Sequence, residues 1–214
     1  LTGYQVSSSW TDANGDYSVG GVPNGTYKVR FASFANPGYV SEWYNDRKSF
    51  ETADTIGVTA GSTISGIDAV LAEAGFISGR VTDGMGIGIP GIYVIVYEFA
   101  DEYVSYAPTD ANGDYTVGEL PTGNYKVEFD PHTAPGFMSE WYNDKTSFET
   151  ADPVSVTGGS TTSGIDAALN QAGIICGRVT DSGGNGIQDI AVYVNDLDNN
   201  LSLIHISEPT RLRR

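Results

Sequence analysis

The sequence predicts an all-β protein made of tandem β-sandwiches, each of about seven strands. Three observations carry that prediction. The 214 residues include 27 Gly, 13 Tyr and 8 Phe, with long stretches rich in Val, Ile and Thr, which is the composition of strands joined by turns. Apolar and polar residues alternate with a period of two in one segment after another, and Gly, Asn and Pro punctuate them. The sequence also repeats itself with a period of 98 residues, the mark of a tandem array.

The repeat fixes the organisation. TDANGDY at 11 recurs at 109, SEWYND at 41 recurs at 139, SFETAD at 49 recurs at 147 and SGIDA at 65 recurs at 163. Between 1–75 and 99–173, 44 of 75 positions are identical without an insertion. The expected division is an N-terminally truncated repeat (1–74), a complete repeat (75–172) and the first strands of a truncated third (173–200). About 100 residues of short strands is the size of one sandwich. The join QAG (171–173) has almost no linker, which predicts restricted angles between neighbouring repeats. Residues 1–74 lack the first two strands of their sandwich and 173–200 contain the equivalents, so the two parts could complement each other between molecules.

Within the complete repeat the elements follow in order. Ile77, Gly79 and Val81 alternate with Ser78, Arg80 and Thr82, as in a half-buried strand. GIYVIVY (91–97) is nearly continuous apolar sequence, predicting a strand covered on both sides. Tyr115 and Val117 alternate after the TDANGDY turn; Tyr125, Val127 and Phe129 alternate with Lys126 and Glu128, which places Lys126 on the outward face. VSV (154–156) and GIDAAL (164–169) supply the closing strands, with Ile165, Ala167 and Leu169 inward and Asp166 outward. No segment has helical periodicity, although 139–151 is compatible with a short helical turn.

Residues 201–214, LSLIHISEPTRLRR, break from the preceding composition. LSLIHISEPTR reads as the translation of a transposase-based sequencing adapter, so the tail is set aside as a scar with His205 inside it. The sequence starts at Leu1 in mid-pattern, so an upstream secretion signal is compatible with it.

Composition also excludes function classes. A formal charge of −16 makes nucleic acid and anionic membranes poor partners. No apolar run approaches the roughly 18–20 residues of a membrane-spanning helix. Catalytic raw material is scarce: two histidines, one cysteine, no Cys-x-x-Cys pair, no nucleophile elbow and no phosphate-cradling Gly loop.

GFISGRVTD (75–83), TDANGDY, LPTGNYKV (120–127) and TTSGID (161–166) together resemble the carboxypeptidase regulatory-like domains, close to the B-type repeats of collagen-binding surface adhesins. The resemblance covers 1–200. It implies a seven-stranded transthyretin-like (prealbumin-like, Ig-like) sandwich in a secreted or cell-surface bacterial protein, with no peptidase chemistry of its own. Many adhesin repeats of this kind carry an isopeptide crosslink from a first-strand Lys. Here that strand carries Arg80 and Arg178, whose guanidinium is no substitute for the amine nucleophile, so no crosslink is expected.

Two sets of candidate site residues remain. Asp12, Asn14 and Asp16, and again Asp110, Asn112 and Asp114, place oxygen ligands at alternate positions, as a calcium loop begins. Such a loop needs Gly at its sixth position and Glu at its twelfth, where the sequence has Tyr17 and Pro23, or Tyr115 and Pro121. An Asp-initiated tight turn is the better reading, with calcium as the alternative and no other cofactor implied. Trp43, Tyr44, Trp141 and Tyr142 form Trp-Tyr pairs suited either to stacking on sugars or to plugging the core; the second is favoured. Cys176 is read as a surface thiol, His132 as a loop residue, and Arg80 and Arg178 as partners of Asp68 or Asp166.

The function read from the sequence is therefore non-enzymatic: a stalk, spacer or adhesion module of an extracellular or cell-surface bacterial protein. Its expected partners are neighbouring repeats and a glycan or host matrix protein. A carbohydrate-binding array using the exposed aromatics is the alternative.

Overall fold

Four short strands fall in the first repeat: β1 (Gly25–Tyr27), β2 (Arg30–Phe31), β3 (Glu42–Trp43) and β4 (Ile56–Val58). Nine fall in the second: β5 (Gly75–Asp83), β6 (Tyr93–Tyr97), β7 (Tyr103–Pro108), β8 (Asp114–Leu120), β9 (Gly123–Asp130), β10 (Glu140–Trp141), β11 (Val154–Val156), β12 (Thr161–Thr162) and β13 (Ala167–Leu169). They come from a computed structural model that describes residues 4–194; the end of the third repeat (195–200) and the tail 201–214, with His205, lie outside the described residues. Among the described residues there is no helix, hence none long and apolar enough to cross a membrane.

The second repeat is a two-layer sandwich, seven of whose strands have three or more residues. One layer runs β10-β9-β6-β7, with β11 also on β9. In the other, β5 is flanked by antiparallel β8 and by β12 and β13, both parallel to β5. Ile77 and Val81 on β5, Val117 on β8, Val127 and Phe129 on β9, and Leu169 on β13 lie inward as the alternation predicts and are fully buried. Leu120 is fully buried too, but out of phase with Val117 across a register shift in the β5–β8 pairing. Each such side chain contributes about 1.5–3 kcal/mol of burial. All ten of the largest fully buried side chains lie between Ile77 and Leu169, so the hydrophobic core belongs to this repeat.

The first repeat reproduces part of that pattern. Tyr27 pairs with Ile56 and Phe31 with Glu42, as Tyr125 pairs with Val154 and Phe129 with Glu140. Tyr17 donates to the Ile67 carbonyl at 2.6 Å, as Tyr115 does to Ile165 at 2.5 Å. Residues 16–22, the counterpart of β8, are nevertheless irregular. In the second repeat β8 is held by β5, and residues 4–74 contain no counterpart of β5. In 173–194 no strand is assigned; the bridge Thr180–Gly186 copies Thr82–Gly88, and Cys176 is exposed.

Three sequence expectations are corrected. β6 is fully covered on one side only: Val94 and Val96 are buried, while Tyr93, Ile95 and Tyr97 are half-buried on the outer face, where the flap reaches Tyr97. Lys126 is on that outer face but is buried, because 139–152 folds across it. Arg80 does not pair with Asp166 through its side chain; Asp166 accepts the Arg80 backbone N–H at 2.8 Å, and the guanidinium lies 3.8 Å from Asp114. The segment 139–151 contains turns but no assigned helix, with one helix-like bond from Ala151 N–H to the Ser147 carbonyl.

The join between the repeats is clamped by backbone from both sides. Val40 N–H donates to Ala72 O and Ala74 N–H to Gly38 O in the first repeat. Gly159 N–H of the second repeat donates to Ala74 O at 2.9 Å. Gly158 passes so close that a Cβ there would sit 2.4 Å from Glu73 O. The next join begins in the same way, with Met138 N–H on Asn170 O and Ala172 N–H on Gly136 O.

Candidate functional surfaces

The TDANGDY segments are tight turns, and the second one carries the chain from one layer of the sandwich to the other. Asp110 Oδ1 accepts the backbone N–H groups of Asn112 (2.8 Å) and Asp114 (2.9 Å). Asp110 N–H donates to Asp114 O, and Gly113, at φ 83°, takes the left-handed position that such a turn requires. Asp12 makes the same bonds to Asn14 and Asp16, and Asp83 and Asp181 repeat the arrangement outside the motif. In the second copy the Asn112 carbonyl accepts Arg80 Nε at 2.9 Å, so a guanidinium stands beside Asp114. Among the described residues no group of three or more His, Cys, Asp or Glu is placed to hold a metal ion.

The Trp-Tyr pairs belong to a flap over the outer face of the first layer. Asn143 and Asp144 both take left-handed backbone (φ 67° and 56°), which their short polar side chains tolerate. The chain thereby turns back so that Trp141 and Lys145 exchange backbone bonds. Asn143 Nδ2 donates to Asp152 Oδ2 at 2.6 Å, and Lys145 lies 3.7 Å from the same oxygen. Beneath, the Lys126 ammonium donates to the Phe148 carbonyl and stands 4.2 Å from the centre of the Phe148 ring. Trp141 packs against Tyr97 and Phe148, with ring centres at 5.3 and 5.4 Å. Its faces are thus engaged by neighbours, and Trp43 meets Phe50 the same way at 5.3 Å. Tyr142 packs against the core and borders an open hollow of about 460 Å³ with Arg80, Asn143, Asp144 and Asp166.

Glu140 lies at the root of the flap. Burial, followed by the charge of Asp144, pushes its carboxyl up to about 7, while an Ala168 backbone hydrogen bond acts in the opposite direction. Glu42 is displaced upward for the same two reasons, burial and Asp46.

Beyond the flap, the outer face of β6 and β7 is open and aromatic. Tyr93 and Tyr106 have ring centres 5.4 Å apart, Tyr106 and Tyr103 6.3 Å, and His132 stands edge-on to Tyr93 at 6.1 Å. With Ile95, Tyr97 and Asp130 these rings border a shallow hollow of about 380 Å³.

Residues 76–170 match the family model described as the carboxypeptidase regulatory-like domain. This segment is similar to the carboxypeptidase regulatory-like domains. Across 179 residues, 77% of this chain, the sequence is 28% identical to serine-aspartate repeat-containing protein D of Staphylococcus aureus (strain Newman). Over 144 residues, 60% of this chain, it is 28% identical to serine-aspartate repeat-containing protein F of Staphylococcus epidermidis. The chain spans only 13% and 9% of the length of those two relatives. Among solved structures, GBS52, the minor pilin of Streptococcus agalactiae, aligns with a TM-score of 0.35 and 12% identity, covering 75% of this chain and 66% of the pilin.

Within the second repeat the two candidate sets stay apart. Asp110, Asn112 and Asp114 form the turn that connects β7 in one layer to β8 in the other, whereas Trp141 and Tyr142 sit in the flap over β9. Sequence reasoning missed the open face of Tyr93, Tyr103 and Tyr106. A signal was present, since Tyr103, Tyr106 and His132 have Gln5, Ser8 and Phe34 as counterparts, departures from an otherwise close repeat.

Proposed function

We infer that the chain is part of a bacterial secreted or cell-surface protein in which domains of this type, set end to end, act as a spacer and adhesion module without catalysis. The observation that carries this reading is the join. The same short backbone clamp recurs at Ala72–Ala74 and at Asn170–Ala172, leaving almost no free linker between units. A chain built that way extends with copy number instead of collapsing. The division into 1–74, 75–172 and 173–200 belongs to the same proposal.

Two further points support it. Similarity to repeat-containing staphylococcal proteins runs over 179 residues, more than one 98-residue period. The formal charge of −16 opposes self-association and keeps an extended array soluble. An extracellular location and host or matrix partners follow from the resemblance to adhesin repeats.

Small-angle scattering on chains with increasing numbers of the 75–172 unit tests the spacer reading. The maximum dimension is expected to grow in proportion to copy number. Growth with its square root, as for flexibly linked beads, would overturn it.

A further inference from the structure

The geometry points to a docking site for an extended, basic polypeptide segment along the open edge of β7, a role beyond that of a spacer. Two features converge there. The first is the edge. β7 ends its sheet, with β6 on one side and no strand on the other among the described residues. Thr109 N–H donates to Ile92 O at 2.9 Å, and Pro108 has no N–H to give. Antiparallel alternation then makes Val94–Ala107 and Val96–Ser105 the bonded pairs and turns the Tyr106 N–H and C=O toward the open side. An added strand would find its backbone partners at Tyr106.

The second feature is the face beside that edge. Tyr103 and Tyr106 are 58% and 51% exposed, and Tyr93 continues the row inward. Asp130 borders the hollow, no Lys or Arg lines it, and Glu102 precedes β7. Alternate side chains of an added strand fall on this face. Lysine or arginine there meets electron-rich rings for cation–π contact and a carboxylate for pairing.

Charge and backbone select this occupant. A sugar uses the rings but leaves the Tyr106 amide edge unmatched, and a second copy brings another formal charge of −16. The first repeat supplies an internal contrast, because Tyr103, Tyr106 and Asp130 correspond to Gln5, Ser8 and Ala32. The face belongs to one unit of the array, whereas the flap and the turns belong to both.

The test is fluorescence anisotropy of a short labelled peptide of alternating lysine and threonine, titrated with the whole chain. Saturable binding is expected, weakened about tenfold in the double variant Tyr103→Ala, Tyr106→Ala. Both rings are more than half exposed, so the melting temperature of that variant should match wild type. The same peptide N-methylated at every backbone amide, which has no N–H to give to Tyr106, is expected to bind no better to wild type than the unmodified peptide does to the variant. Asp130→Asn should weaken binding with the fold intact. The proposal is overturned by absent binding, by equal binding to wild type and double variant, or by undiminished affinity for the N-methylated peptide. It is likewise overturned if a gluco-oligosaccharide displaces the peptide, or if light scattering shows a dimer that the double variant abolishes.

Discussion

The Lys126 ammonium is seated 4.2 Å from the centre of the Phe148 ring and donates to the carbonyl of the same residue. Lys28 stands 4.6 Å from the Phe50 ring and donates to its carbonyl at 2.5 Å, so the relationship recurs with the repeat. One residue thus ties the flap to the sheet through its ring and its backbone together. Lys126→Met should remove both ties and leave the carbonyl without its donor, a cost of about 1–3 kcal/mol. Lys126→Arg should not restore it, since a planar fork does not replace a compact ammonium there. Urea unfolding measures the difference, and an unchanged midpoint for Lys126→Met would remove the tie.

The Asp110 turn gives a second expectation. Gly113 has φ 83°, and a Cβ there would lie 2.2 Å from Val81 O, so Gly113→Ala combines left-handed strain with a backbone clash. Its cost should exceed about 2 kcal/mol. Asp110→Ala, which loses two side-chain bonds at an exposed turn, should cost about 1 kcal/mol. Added calcium should leave the melting temperature of wild type unmoved; a rise that Asp110→Ala abolishes would restore the metal reading.

Glu140 sets a pH dependence. Its folded-state carboxyl, near 7, lies above the ordinary 4.5, so the folded chain favours the protonated acid. The sign follows: the contribution is complete below about pH 4.5 and is lost as pH rises toward 7. Glu140→Gln should flatten this slope and stabilise the protein above neutrality by about 1 kcal/mol, after discount for solvent screening at a half-buried position. Unfolding measured at both ends of the window checks it; a variant no more stable than wild type above neutrality would refute it.

At the join, a side chain on Gly158 would press on the Glu73 carbonyl. Gly158→Val should therefore open the clamp while the core of β5–β13 keeps its stability. Limited proteolysis is expected to cut the variant near 72–76 faster than wild type. Equal cleavage rates would mean that the clamp does not hold the join.

How much of this was legible in the sequence follows from what periodicity can report. A period of two states which face a residue occupies, and Ile77, Val81, Val127 and Leu169 all lie where alternation puts them. It does not state what covers the other face. Lys126 alternates as a solvent-facing residue and is buried by a loop about 20 positions away in sequence. Tyr93, Ile95 and Tyr97 read as buried because they are apolar, yet the flap reaches only as far as Tyr97 and a hollow borders the rest. The Asp110 turn was readable because its bonds are local. The placement of Trp141 was only half readable, since its ring partners Tyr97 and Phe148 come from two separate segments.

The parallel placement of β12 and β13 beside β5 has a mechanical meaning. The chain comes in at Gly75, at the start of β5, and leaves after Leu169, which pairs with Asp83 at the far end of the same strand. Tension applied along the array would therefore slide β13 past β5 in shear. The hydrogen bonds between them share the load together, where a peeling geometry would break them one by one. With the clamps at Ala74 and Ala172 passing force from unit to unit, β5 is the strand on which resistance to pulling would rest.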